Sequence, residues 1–230
     1  MIRIRKAEDR GHADHGWLNT WHTFSFADYH DGAHVHFRGL RVMNEDYIAG
    51  GRGFGMHPHR DMEIVTYVMQ GALEHRDSMG NHGVIKPGVV QRMSAGTGVL
   101  HSEANPTDET THLYQIWIFP REKGVQPGYE EKLLPEAEPG KWVLVASPDG
   151  ADGSVTINAD TKLWAARLEA GQSLDYELPH GHAAWLQVTR GRLTLNDEAL
   201  ETSDGAAVEE VGALSIKAET DVEFLLFDLD

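Results

Sequence analysis

The sequence predicts an all-β protein built as two tandem antiparallel β-barrels. Three observations lead there. Short β-branched and aromatic runs are separated by Gly, Pro and Asn, with no sustained helical period. The 230 residues suffice for one large β domain or two of about 100 residues each. The order of elements in the first half also recurs weakly in the second, as in a duplicated barrel.

Taken in order, residues 2–5 read as a short strand, 11–18 as turn-rich, and 21–26 as a strand alternating aromatic with polar residues. A further strand over 34–43 ends at Asn44-Glu45-Asp46, which reads as a turn. Glu63 opens a β-branched run closed by Gln70 and Gly71. Strands follow over 73–77, 84–86 and 89–93, then a tight turn at Gly96-Thr97-Gly98 and the strongly β run 112–119. Prolines and charged residues from 120 to 141 interrupt the pattern. The expected division is a metal-binding unit over 1–125, a linker over 126–141 with one helical turn at 129–133, and a second unit over 142–230 without metal. Strands restart at 143–146 and continue through 155–157, 163–168, 184–190, 193–195, 214–218 and 222–227.

Composition narrows the function. The formal charge of −16 repels a phosphate backbone, and Arg3, Arg5 and Lys6 are too few for a basic patch, so direct nucleic-acid binding is not expected. A mean hydropathy of −0.42 and the lack of a long apolar run speak against a membrane protein. The opening residues lack the apolar core of a signal peptide, and the cytoplasm is the expected compartment. Without cysteine, neither disulfides nor thiolate metal ligation contribute. Of 14 histidines, 12 lie between His12 and His112, which places the chemistry in the first half.

Two pairs stand out, His57-x-His59 and His101-x-Glu103. Residues i and i+2 of a strand share a face, so pairs on facing strands converge on one point. Three imidazoles and a carboxylate suit a divalent first-row metal and leave coordination positions open. Strand parity also admits Glu63 as the carboxylate. His34-x-His36 has the same spacing but reads as a solvated or hydrogen-bonded pair. His180-x-His182 sits at the matching place in the second half, where no His-x-Glu pair follows, and two imidazoles alone make a weak site. Gly96-Thr97-Gly98 has no following Lys or helix, so it reads as a turn rather than a phosphate loop. Met56, Met62, Met69 and Met93 are expected as core filler.

The spacing of Gly51, His57, His59, Glu63 and Gly71, and then of Gly88, Ser94, Gly96, His101 and Asn105, resembles the two cupin motifs. The wide interval from Gly96 to His101, the run from His57 to Glu63, and that from Ser94 to Glu103 resemble the pirin family in particular. That resemblance covers nearly the whole chain and implies a bicupin of jelly-roll type. It favours His57, His59, His101 and Glu103 as ligands of one divalent metal per chain, Fe(II) first, with Mn, Co, Ni, Cu or Zn as alternatives. It further implies a quercetin 2,3-dioxygenase that opens a flavonol with O2 and releases carbon monoxide, with Glu103 as catalytic base. Phe24, Phe26, Trp117 and Phe119 are the expected apolar walls. The family also contains regulators, so the alternative is a metal- or redox-sensing protein that binds a partner protein without turnover.

Overall fold

Along Leu40–Ile48, successive side chains point to opposite faces, and each face has a different neighbour. Met43 is packed in apolar surroundings, whereas Asn44 and Asp46 line a cavity. The same division runs along Thr111–Ile118. Tyr114, Ile116 and Ile118 join the apolar core, while Gln115 and Trp117 face the cavity. These strands are central in a seven-stranded sheet, and that sheet is two-sided throughout.

The computed structural model describes residues 1–230. It is almost entirely β, with two 3₁₀ turns. Each half pairs a seven-stranded sheet with a four-stranded one. In the first half the large sheet runs Gly128–Leu133, Val89–Ser94, Glu63–Gln70, Thr111–Ile118, Leu40–Ile48, Leu18–His22 and Gly11–Asp14. The small sheet runs Gly53–His59, Val99–Ala104, Leu73–Asp77 and His82–Ile85. The second half repeats the plan around Ala183–Arg190, Val222–Leu229 and Thr161–Leu168. No helix is long and apolar enough to cross a membrane.

The all-β, two-jelly-roll expectation holds, with one correction of form: each unit is a pair of open sheets rather than a closed barrel. The reason lies in the largest core cluster, of 22 buried residues, which draws on both large sheets. Met43, Val65, Tyr114 and Ile116 of the first sheet meet Val145, Leu163, Trp185, Leu225 and Phe227 of the second. The outer face of the first large sheet is thus covered by the second rather than by solvent.

Several sequence expectations shift here. The stretch 126–141 contains no helical turn. Gly128–Leu133 is an edge strand on Val89–Ser94 of the first half. Ile2–Arg5 adds a strand to Gly205–Val208, in the second half's sheet. Each terminal segment of the first unit is thus an edge strand, and in Gly128–Leu133 the hydrophobic pattern is correspondingly weak. Asn44-Glu45-Asp46 is mid-strand rather than a turn. Glu45 sits buried between the halves, bridged by Arg10 at 2.9 Å, His112 at 3.0 Å and the Ser203 hydroxyl at 3.1 Å. Gly96 does form the expected turn, with φ of 46°, and a Cβ there would collide with the Val125 carbonyl oxygen. Of the four methionines, Met93 is fully buried, and Met62 and Met69 pack on core clusters, but Met56 is 57% exposed.

Trp185 packs against Phe24 and Phe37, with ring centroids 5.1 and 5.8 Å apart, at the seam between the halves. Trp185→Ala should cost about 3–5 kcal/mol. Because both halves share this core, urea unfolding of the unmodified protein should be one transition, coincident by circular dichroism and fluorescence. Two separated transitions would contradict the shared core.

Candidate metal centre

The small sheet of the first half carries the histidines. Val99–Ala104 is its second strand, paired on one side with Gly53–His59 and on the other with Leu73–Asp77. His101 lies directly opposite His57, and Val99 opposite His59. The register then shifts, so that Glu103 faces Phe54. The extra residue belongs to the Gly53–His59 strand, and such a bulge bends the strand and re-aims its side chains. Gly53 permits the close pairing, since a Cβ there would strike the Glu103 carbonyl oxygen.

His57, His59 and His101 offer ring nitrogens that all lie within 4.8 Å of one another. Their ring centroids are 4.4 to 4.8 Å apart. Glu103 forms a second cluster of the same tightness with His101 and His75. Four of the side chains expected at the site, His57, His59, His101 and Glu103, therefore line one cavity of about 310 Å³. Glu63 does not. Its carboxylate accepts hydrogen bonds from the Ser94 hydroxyl at 2.7 Å and the Asn158 amide at 3.1 Å, at the boundary with the second half.

Hydrogen bonds prepare the imidazoles. His57 Nδ1 lies 2.8 Å from the Gly55 carbonyl, which can only accept, so the proton is on Nδ1 and the Nε2 lone pair is free. His101 Nε2 and Glu103 Oε1 are buried without a hydrogen-bond partner. Buried polar atoms are almost always satisfied. Two such atoms beside further imidazoles are what a divalent cation would complete, and a donor set of three nitrogens and one carboxylate suits a first-row metal.

Electrostatics point the same way. Burial, reinforced by the neighbouring His57, lowers His59 to about 4. Burial, then His57, His59 and His75, lowers His101 to about 2. Both rings thus stay neutral, as metal ligation requires. Burial raises Glu103 to about 7, against the hydrogen bond donated by Gln115 Nε2 at 2.9 Å.

The facing wall comes from the large sheet: Thr20 and His22, Asn44 and Asp46, Ile64, Gln115 and Trp117. Trp117 sets its edge against His59 and Phe26, with centroids 4.8 and 5.3 Å away. Of the four expected aromatic walls only Phe26 and Trp117 line the cavity. Phe24 is buried in the seam with Trp185, and Phe119 is 38% exposed beside His36. His34 and His36 are held elsewhere, by Asp31 at 2.9 Å and the Arg38 carbonyl at 3.0 Å. His180 is exposed, and His182 is bound to Asp228 at 2.6 Å.

Sequence reasoning missed His75, Asp77, Gln91, Gln115 and the polar wall. One signal was available: His75-x-Asp77 has the same spacing as the two ligand pairs. The wall residues carried no motif, and the polarity of Asn44 and Asp46 reads as a turn.

Comparison with known proteins finds relatives along the whole chain. Residues 3–118 match the family model described as Pirin, and residues 144–229 match that of the quercetinase C-terminal cupin domain. A protein of Escherichia coli K12 named quercetin 2,3-dioxygenase is 50% identical over 230 residues, covering 100% of this chain and 99% of its own. A pirin-like protein of Caulobacter vibrioides is 42% identical, covering 99% of both chains. The crystal structure of the bacterial pirin YhhW from Escherichia coli, in complex with nickel(II), superposes with a TM-score of 0.95 at 48% identity, over 100% of this chain and 99% of that one. With both halves matched and full-length relatives at such identity, the chain belongs to the pirin family.

Proposed function

We propose that this protein is a metal-dependent dioxygenase that opens the flavonol ring of quercetin-type substrates with O2 and releases carbon monoxide. In this reading one Fe(II) per chain is held by His57, His59, His101 and Glu103. The observation that carries the proposal is the cavity itself. Three imidazoles and a carboxyl line the same 310 Å³ space as Phe26, Phe54, Ile64 and Trp117. That volume is of the size small-molecule sites use, and a mostly apolar lining with a few convergent polar groups is their usual character. Support also comes from the relatives that carry the quercetin 2,3-dioxygenase name at 42–50% identity.

Iron bound there would supply Lewis acidity and electron exchange with O2. The chain's own residues do the rest. Trp117 and Phe26 present ring surfaces to a flat aromatic substrate. Glu103 accepts from Gln115 at Oε2 and leaves Oε1 without a protein partner, so Oε1 is the atom that would hold the metal and, on swinging off it, take the substrate's hydroxyl proton. Burial holds this carboxyl near 7 in the metal-free site, and a bound cation would favour its charged, proton-accepting form. The second half, 142–230, serves as the structural partner that keeps the large sheet open and its polar wall in place.

Metallated protein should consume O2 with quercetin, and the metal-free protein should not. His57→Ala or His101→Ala should strip the metal. Glu103→Gln, which keeps size and one oxygen, should retain much of the metal and lose about 10²–10⁴-fold in turnover. Fully metallated protein that never cleaves a flavonol would instead indicate the metal-sensing, partner-binding protein.

Asp46, on the polar wall, supplies a pH test. Burial raises its carboxyl to about 6 from 3.8, against the hydrogen bond from Thr20. A raised folded-state value means the native protein holds this proton more tightly than the unfolded chain. The associated stability is complete below 3.8 and is lost as pH rises through about 6. Asp46→Asn should therefore raise the thermal midpoint of metal-free protein at pH 8, by the equivalent of up to about 3 kcal/mol, and change little at pH 4. Equal shifts at both pH values would show that the effect is not the charge.

A further inference from the structure

We infer that His75 and Asp77 are positioning residues that fix the tautomer of His101 and so present its Nε2 lone pair to the metal. This inference rests on the metal reading of the site above. Three pairs of alternate residues share the inner face of the small sheet: His57 with His59, His101 with Glu103, and His75 with Asp77. The register places Asp77 opposite His101 and His75 opposite Glu103.

The proton assignments follow from the one group that can only accept. Asp77 is fully buried and takes hydrogen bonds from the amides of Met79 and Asn81, each at 2.9 Å, and from Asn81 Nδ2 at 2.9 Å. An ionised carboxylate so held has no proton to give. His75 Nε2, 3.3 Å from Asp77 Oδ2, is therefore the donor. In a neutral ring that makes Nδ1 an acceptor, and it faces two groups. Gln91 Nε2 donates to it at 3.0 Å, and His101 Nδ1 lies 3.4 Å away. His101 consequently carries its proton on Nδ1. Its Nε2, the buried atom with no hydrogen-bond partner, is left with a lone pair.

The same accounting removes His75 as a ligand, although it clusters with His101 and Glu103. Both its nitrogens are committed, Nε2 to Asp77 and Nδ1 to Gln91 and His101. Tyr129 stacks on the ring with centroids 4.7 Å apart, so the edge strand Gly128–Leu133 locks the orientation of His75 from outside. Metal-ligating histidines commonly donate their second N–H to a partner that sets tautomer and basicity. Here the partner is a second imidazole, itself oriented by a carboxylate.

The test uses the full chain, stripped of metal and titrated with Co(II). His75→Gln can still accept from His101 and donate to Asp77, whereas His75→Leu can do neither. His75→Leu should bind Co(II) about 10–100-fold more weakly, and His75→Gln should restore most of that loss. Proton NMR of the Co(II) protein should show a hyperfine-shifted, slowly exchanging N–H from His101 that is absent in His101→Ala and shifted or fast-exchanging in His75→Leu. Unmodified protein that binds Co(II) equally to His75→Leu overturns this inference and leaves the metal reading intact. So does a His75→Gln variant as weak as His75→Leu when the metal-free forms melt alike. If His75→Leu does not fold, the His101 resonance of unmodified protein decides, and its absence overturns the assignment. Unmodified protein that binds no Co(II) removes the metal reading and this inference together.

Discussion

The pairing of Val99–Ala104 between Gly53–His59 and Leu73–Asp77 is the constraint on which the rest of the molecule depends. It sets His57 opposite His101, and Asp77 on the other side of the same residue. Side chains alternate strictly along a strand, so a one-residue slip in either ladder would turn these groups toward solvent. The outward positions show what is at stake. Met56 and Leu100, neighbours of His57 and His101, are 57% and 46% exposed. The bulge that shifts the register between His101 and Glu103 brings the carboxylate strand past Gly53 without disturbing the histidine pairing.

The large sheet answers to a second constraint, since it must present a polar and aromatic wall to the cavity and an apolar face to the other half. Period-two alternation lets single strands do both. Gln115 and Trp117 face the site while Tyr114 and Ile116 sit in the shared core. The duplicated half is therefore more than a relic, for it supplies the surface that lets the first sheet remain open. Burial around this cavity carries an electrostatic cost, visible in the raised carboxyls of Asp46 and Glu103. A cation among the histidines would offset part of that cost by favouring the charged form of Glu103.

Much of this was legible in the chain itself. The all-β class and the duplication follow from strand punctuation, and two i, i+2 pairs of metal-ligand side chains point to four residues that line one cavity. What escaped did so for physical reasons. Asn44-Glu45-Asp46 reads as a turn because polar residues in mid-strand are rare, and here they are polar because one face lines a cavity and the other a buried ion pair. Gly128–Leu133 is an edge strand whose exposed residues dilute the alternation, and the pairing of Ile2–Arg5 with the far half's Gly205–Val208 has no local signal. Parity admits both Glu63 and Glu103 and the family resemblance favours Glu103, but only the fold shows Glu63 bound to Ser94 and Asn158. His75-x-Asp77 carried the right spacing, but nothing local distinguishes a ligand from a residue that orients one.

We expect the inner face of the small sheet to build one metal site from four side chains, with His75 outside it. Anomalous diffraction from crystals of this protein grown with nickel(II) tests that most directly. The expected result is one peak per chain, bonded to His57, His59, His101 and Glu103, with His75 not coordinated. A peak bonded to His75, or one at His180 and His182 with none in the first half, would contradict it.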